Sequence, residues 1–476
     1  MKLLNIKRVA IFSLALLSFA SCSHFEDMNK DPNQATEVPT SALLTQAQFN
    51  LVSNLDGEVG QLGAQYAQFY SQTDYTDKSN YSDDGVSSFN SIYRGGLRDL
   101  KEIIILNQNN ADDYLEFGDN NHQIAVAKIL MAWAFHSVSD VWGDIPYSQA
   151  VNDDYITPKY DTQEAIYEGL IKDLNDAQDL INAPTSSVSL KGDLIFDGDM
   201  TKWDQFAESL KVRIAMRLTE IDEDKAKSII SSIDFTKATS NQAVEFGHLD
   251  TDSEANPIYR DNIVNAGGDY FVPSNTVIDF LINTSDPRLE TYAEPAATSG
   301  TYVGLTYGLV ESSNKDDFSP LSEKYAGKTA PSIIMTSSEI LFAKAEAIER
   351  NYIAGNADVE FNAAIRASME YNNVDSDKID AYMATITYDA ANWREEIATQ
   401  KWIALFGQGI QAWAEWRRLD FPVLTPGPGA SISTIPRRRA YNTNEYSTNL
   451  ENVTEAVKRL ESGNDLYTER IWWDAL

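Results

Sequence analysis

The chain holds one cysteine, Cys22, so no internal disulfide can brace it and burial alone must hold the fold. The position of that cysteine is as informative as its number. Lys2, Lys7 and Arg8 form a basic start, Val9 to Ala20 run apolar, and Ser21-Cys22 closes the run. This is the three-part form of a secretory signal peptide. The apolar run is far shorter than the roughly 20 residues that span a bilayer. Ser23 to Pro39 are polar and turn-rich, unlike a stop-transfer segment. Leu17 to Cys22 reads as a lipobox, with the Cys22 thiol as lipid acceptor. The alternative is an ordinary leader cut near Ala20, with a spare thiol left over. The expected division is a signal peptide over 1–21 and a lipidated linker over 22–40.

The body beyond the leader, about 455 residues, is long enough for a large core. The chain carries a net charge of −33, and its leader has three basic residues and no acid, so the body is more acidic still. Such a body repels nucleic acid and anionic membrane surfaces. No nucleic-acid partner is expected.

Apolar periodicity gives helices almost throughout. The clearest runs from Asn121 to Asp140, apolar and rich in alanine, into Gly143 and Pro146, which force the chain out of helix. A second helix over 163–180 makes this a hairpin. Thr336–Arg350 and Val359–Tyr371 form another, with alanines that suit close crossing. Between them, from 235 to 332, the periodicity fails among prolines and glycines. The reading is all-α: tetratricopeptide-repeat-like helical hairpins over 41–234 and 333–476, with a loop-rich irregular ligand-binding lobe over 235–332.

Catalytic motifs are thin. His24, His122, His136 and His248 show no metal-site spacing, and His136 reads as a satisfied core or surface histidine. Ala326-Gly327-Lys328-Thr329 lacks the first glycine of a P-loop, because Ser322 stands there. Asp250, Asp252 and Glu254 alternate like calcium-loop ligands, without the turn glycine. They read either as a calcium site or as a solvated acidic loop; no other cofactor is expected. Loop aromatics are the better lead, since sugars offer apolar C–H faces ringed by hydroxyls. Tyr75, Asp77, Asn80 and Tyr81 in the loop over 71–88 have that make-up, as do Asn256, Tyr259, Tyr270, Tyr302 and Tyr307 in the lobe. The expectation is that both groups form one site.

Several stretches, in order, resemble the SusD/RagB family of Bacteroidetes outer-membrane lipoproteins. They are Phe25 to Asn33, Trp142 to Tyr147, Asp286 to Leu289, Ile333 to Thr336 with Glu339 to Glu346, Trp416 to Arg418, Ile435 to Arg438 with Glu445-Tyr446, and Trp472 to Asp474. The resemblance covers nearly the whole chain. It implies a tetratricopeptide-repeat scaffold, a surface-exposed lipid-anchored protein of the outer membrane, and a SusC-like TonB-dependent transporter as partner. The cargo it implies is glycan or, in some members, peptide. The expected function is therefore non-enzymatic capture of nutrient oligosaccharides or peptides for that transporter. The alternative is a secreted all-α glycoside hydrolase, which needs two carboxylates about 5–9.5 Å apart. Trp142, Trp416, Arg417 and Arg418 read as structural packing and charge pairing.

Overall fold

A computed structural model describes residues 38–82, 88–184 and 186–475. The leader, Cys22 and the linker up to residue 37 lie outside the described residues. The remainder is 54% helix against 5% strand, with no closed sheet, which sets the class as all-α.

Helix starts follow side chains visible in the sequence. α1 (Thr40–Val52) continues through a π-helical turn, where Gly57 leaves helical geometry, into α2 (Val59–Tyr66). β1 (Tyr70–Gln72) follows, then α3 (Arg98–Asn109). α4 (Asn120–Trp142) begins where the Asp119 carboxylate accepts from the Asn121 and His122 N–H groups, and ends at Gly143, whose φ is +88°. Long and apolar enough to cross a membrane, α4 is instead buried by its neighbours. β2 (Ile145–Pro146) pairs antiparallel with β3 (Tyr160–Asp161). α5 (Gln163–Asn182), capped by Thr162, folds back along α4.

α6 (Met200–Arg217) and α7 (Glu223–Ser232) are capped by Asp199 and Asp222. In the lobe, β4 (Ala243–Phe246), β5 (Phe271–Pro273) and α8 (Asn275–Asn283) precede β6 (Ser332–Thr336). β1 pairs with β5 and β4 with β6, both antiparallel. The second hairpin is α9 (Ser337–Glu349) with α10 (Ala357–Tyr371). Then come α11 (Ser376–Met383), α12 (Trp393–Ala404), α13 (Gly409–Leu419) and α14 (Leu450–Lys458).

α2 and α13 cross at glycines. A Cβ on Gly409 would stand 1.9 Å from the Gly60 carbonyl oxygen, and one on Gly63 2.6 Å from Gly409 backbone, so neither position admits a side chain. α2 stops at Tyr66, and Phe69 and Tyr70 are core residues of the lobe. There they pack with Phe271, Tyr292, Tyr325, Trp402 and Phe406, and Tyr292 stacks on Phe406 at 4.2 Å. The lobe therefore shares its core with α12 and the chain following α2.

The helical body is latched by buried charge. Arg418 bonds Glu346 through both carboxylate oxygens, at 2.5 and 2.6 Å, and Glu415 at 2.6 Å. Arg217 reaches Asp140 at 3.1 Å, Gln411 at 2.6 Å, and Glu415. Burial alone would raise the Glu346 carboxyl; Arg418 and Arg350 overcome it and hold the group at about 2. Arg417 lies over the rings of Trp413 and Trp473 and donates to the Asp140 and Arg437 carbonyls. Trp142, Trp416, Arg417 and Arg418 are thus framework. The buried Trp473 indole donates to Asp140 at 3.1 Å, across 333 residues of sequence.

His136 differs from its sequence reading. It is fully buried, neither ring nitrogen has a hydrogen-bond partner among the described residues, and Asp140 lies 3.6 Å away. Burial pushes its pKa down to about 3, against the pull of Asp140.

Candidate functional site

The β1–β5 pair carries the first loop to the lobe. The ladder extends past Gln72, with the Thr73 N–H donating to the Tyr270 carbonyl at 2.9 Å. The chain then turns through Asp74, whose carboxylate accepts from the Tyr75 N–H at 2.9 Å and the Ser312 hydroxyl at 2.6 Å. The Ser313 N–H returns to the Thr73 carbonyl at 2.7 Å. Asn80 donates to the Leu309 carbonyl at 3.1 Å, and its own carbonyl accepts from Ser431 N–H at 2.8 Å. Three loops are thus laced together: 73–82, 305–313 and 427–431. Gly427 is required here, because a Cβ would stand 2.3 Å from the Tyr307 carbonyl oxygen.

On this base stands an aromatic ledge. Tyr75 is 77% exposed and has a φ of +48°, a left-handed conformation costly for a residue with a bulky side chain. Tyr270 is half-buried, packs on Phe271 at 4.5 Å, accepts from Gln72, and donates to the Tyr75 carbonyl at 3.2 Å. Burial, with Asp77 adding to it, pushes the Tyr270 phenol up to about 12, so it stays a neutral donor. Asp77 is exposed beside them. The arrangement offers the exposed Tyr75 ring and, joined to it through the backbone, the half-buried Tyr270, with the carboxylates of Asp74 and Asp77 exposed in the same loop.

The structure therefore brings Tyr75, Asp77 and Tyr270 together, and it corrects others. Tyr81 and Tyr307 are only 2% and 4% exposed and pack on each other at 6.5 Å, Tyr81 also edge-on to Tyr66, so no ligand reaches their rings. Asn80 is the buried staple just described. Asn256 is also buried: it caps the turn Pro257–Tyr259 and donates to Ala330 at 3.1 Å. Tyr259 lies elsewhere, its ring centre 5.9 Å from the Lys328 ammonium. Tyr302 lines a separate groove.

The calcium expectation meets a lysine. Asp250 and Asp252 both pair with Lys328, at 3.1 and 3.0 Å, and Glu254 accepts from Thr251 at 3.0 Å. Among the described residues, no group of three or more acidic, histidine or cysteine side chains is placed to hold a metal. Sequence reasoning missed Gln72, Asp74 and Ser312, which fix the ledge. Polar loop residues of this kind carry no periodic signal; only Gly308 and Gly427 hinted at close loop contact.

A second polar cluster joins the lobe to the helical body. The Ser332 hydroxyl lies between Asp56 and the His248 Nε2, the latter at 2.8 Å, and His248 Nδ1 meets the Glu254 carbonyl at 3.2 Å. Burial pushes Asp56 up to about 6 and His248 down to about 4.

The helical-hairpin scaffold with its loop-rich lobe is that of a known class of protein. A SusD-like family model, described as "Starch-binding associating with outer membrane", matches residues 32–442. The chain belongs to this SusD-like family, which is described by what it binds and not by a reaction. Among solved structures, a chitin-binding protein superposes with a TM-score of 0.79 at 27% identity, covering 91% of this chain and 99% of that one. A SusD-like protein of Bacteroidetes gives a TM-score of 0.78 at 20% identity, covering 92% and 100%. A SusD homologue from Bacteroides uniformis gives 0.76 at 24% identity, covering 91% and 99%. No curated protein sequence matches the chain.

Proposed function

We propose that this protein is a cell-surface lipoprotein of the outer membrane, anchored through Cys22, that captures oligosaccharides and passes them to a SusC-like TonB-dependent transporter. Capture is by stacking on the Tyr75–Tyr270 ledge, with Asp77 and Asp74 accepting from sugar hydroxyls. The observation that carries this reading is Tyr75: a large ring held in the solvent, in a left-handed conformation, by a loop laced at many points. Strain maintained by surrounding structure, under an exposed aromatic, is the mark of a binding residue. Family membership and the likeness to a chitin-binding protein support a saccharide over a peptide. The leader and the lone cysteine support the anchor.

Calorimetric titration of the body with maltoheptaose, chitohexaose and a peptide digest tests the reading. Saccharide binding without product is expected, weakened at least tenfold by Tyr75→Ala. Peptide binding alone would change the cargo, and released sugar would establish a hydrolase. Incorporation of labelled palmitate, lost in Cys22→Ala, tests the anchor. Co-purification from outer membranes tests the transporter.

A further inference from the structure

Tyr302 does not share the ledge. It stands over a groove of about 520 Å³ whose walls include Ile282 at the end of α8, Leu289 and Glu290 beyond it, and Lys378 and Tyr382 on α11. Tyr270 precedes β5, whereas the groove beside Tyr302 is walled by the last turn of α8 and by α11, and neither Tyr75 nor Tyr270 lines it.

The segment that carries Tyr302 is fixed in place. The backbone on either side of Tyr302 is pinned: the Thr301 carbonyl accepts from Ala296 at 2.9 Å, and the Val303 N–H donates to the Ser319 hydroxyl at 3.0 Å. The ring packs against the lobe core, yet it is only half-buried and still lines the groove. Near it, the Lys378 ammonium meets the Glu290 carboxylate at 2.5 Å, with both side chains about half exposed. An ion pair this exposed contributes little to stability. It does set a donor and an acceptor side by side, the pattern that adjacent sugar hydroxyls match.

We propose that the Tyr302 groove is a second saccharide subsite, taking a neutral pyranose with its C–H face on the Tyr302 ring and adjacent hydroxyls between Lys378 and Glu290. This inference rests on the saccharide reading of the ledge. Two subsites on one rigid body make capture bivalent. A long polysaccharide that reaches both gains affinity through effective concentration, and a short oligosaccharide does not.

The test is calorimetric titration of the full body with maltotriose and chitotriose, and with soluble amylose and glycol chitin as their long counterparts. The wild type should take two trisaccharides per chain and bind the matching polymer at least tenfold more tightly. Tyr302→Ala and Lys378→Ala should each take one, and should lose most of the polymer advantage. Tyr302→Phe keeps the ring and should behave as wild type. Should Tyr302→Ala lower the unfolding midpoint, Lys378→Ala decides alone, since its side chain is exposed. One trisaccharide per chain in the wild type, with both alanine variants indistinguishable from it, overturns the second subsite and leaves the ledge standing. No binding of any probe by the wild type removes the saccharide reading itself, and this subsite with it.

Discussion

The helical body and the loop lobe are held together in different ways. In the body, side chains meet side chains: Arg418, Glu346, Glu415 and Arg217 form one buried network joining α6, α9 and α13. In the lobe, the loops under Tyr75 are tied largely through the backbone, Thr73 with Tyr270, Ser313 with Thr73, Asn80 with Leu309, while the lobe's own buried pair, Arg288–Asp286, lies against α10 and α12. Charge fixes how rigid helices cross. Hydrogen-bonded loops instead fix where single residues point, which a ledge for ligand requires and a scaffold does not.

The contrast can be broken at either end. The largest effect is expected in the body. Glu346→Ala leaves the buried Arg418 and the partly buried Arg350 with one carboxylate partner fewer each, and should cost about 3–5 kcal/mol in denaturant unfolding. Loss below about 1 kcal/mol would show that the network merely decorates the crossing.

Next comes Tyr81→Ala, which empties a core position under the ledge and should cost about 3 kcal/mol. Tyr75→Ala, six residues earlier in the same loop, should stay within about 0.5 kcal/mol while weakening saccharide binding. Equal costs for the two would mean that the ledge is also framework.

A smaller effect is in pH, where the two regions should slope in opposite senses. His136, in the body, has its folded pKa depressed from 6.5 to about 3 by burial. The unfolded chain then binds the extra proton first, so this contribution is present above 6.5 and is lost as pH falls toward 3. Asp56, at the seam with the lobe, is raised from 3.8 to about 6 by burial. Here the folded chain holds the proton, so stability is greatest below 3.8 and declines as pH rises through 6. Unfolding midpoints between pH 4 and 7 should rise more steeply with pH in Asp56→Asn and less steeply in His136→Gln. Parallel curves for both variants and wild type would remove these groups from the pH response.

The sequence was most readable where a period or a cap sets the structure. The α4–α5 and α9–α10 hairpins follow from spaced apolar residues, though α10 starts two residues before Val359, where Asn356 caps it. The loops were half readable. Composition marked 71–88 and the lobe as aromatic-rich, and Tyr75, Asp77 and Tyr270 do meet. Nothing local distinguishes Tyr75 from Tyr81, however. One is exposed and the other buried because the 305–313 and 427–431 loops close over Tyr81, and pairing across more than two hundred residues leaves no local pattern. Composition alone put Tyr302 and Tyr259 in the same site; the groove walled by α8 and α11 and the Lys328 cluster set them apart.

The bond from Trp473 to Asp140 has a consequence in time. Asp140 lies on α4, near the middle of the body's core, and Trp473 is fully buried against that core. Until residues beyond 470 exist, Asp140 lacks one of its donors and the indole's place is empty. The α4–α5 hairpin is thus complete in sequence long before this last buried contact can form.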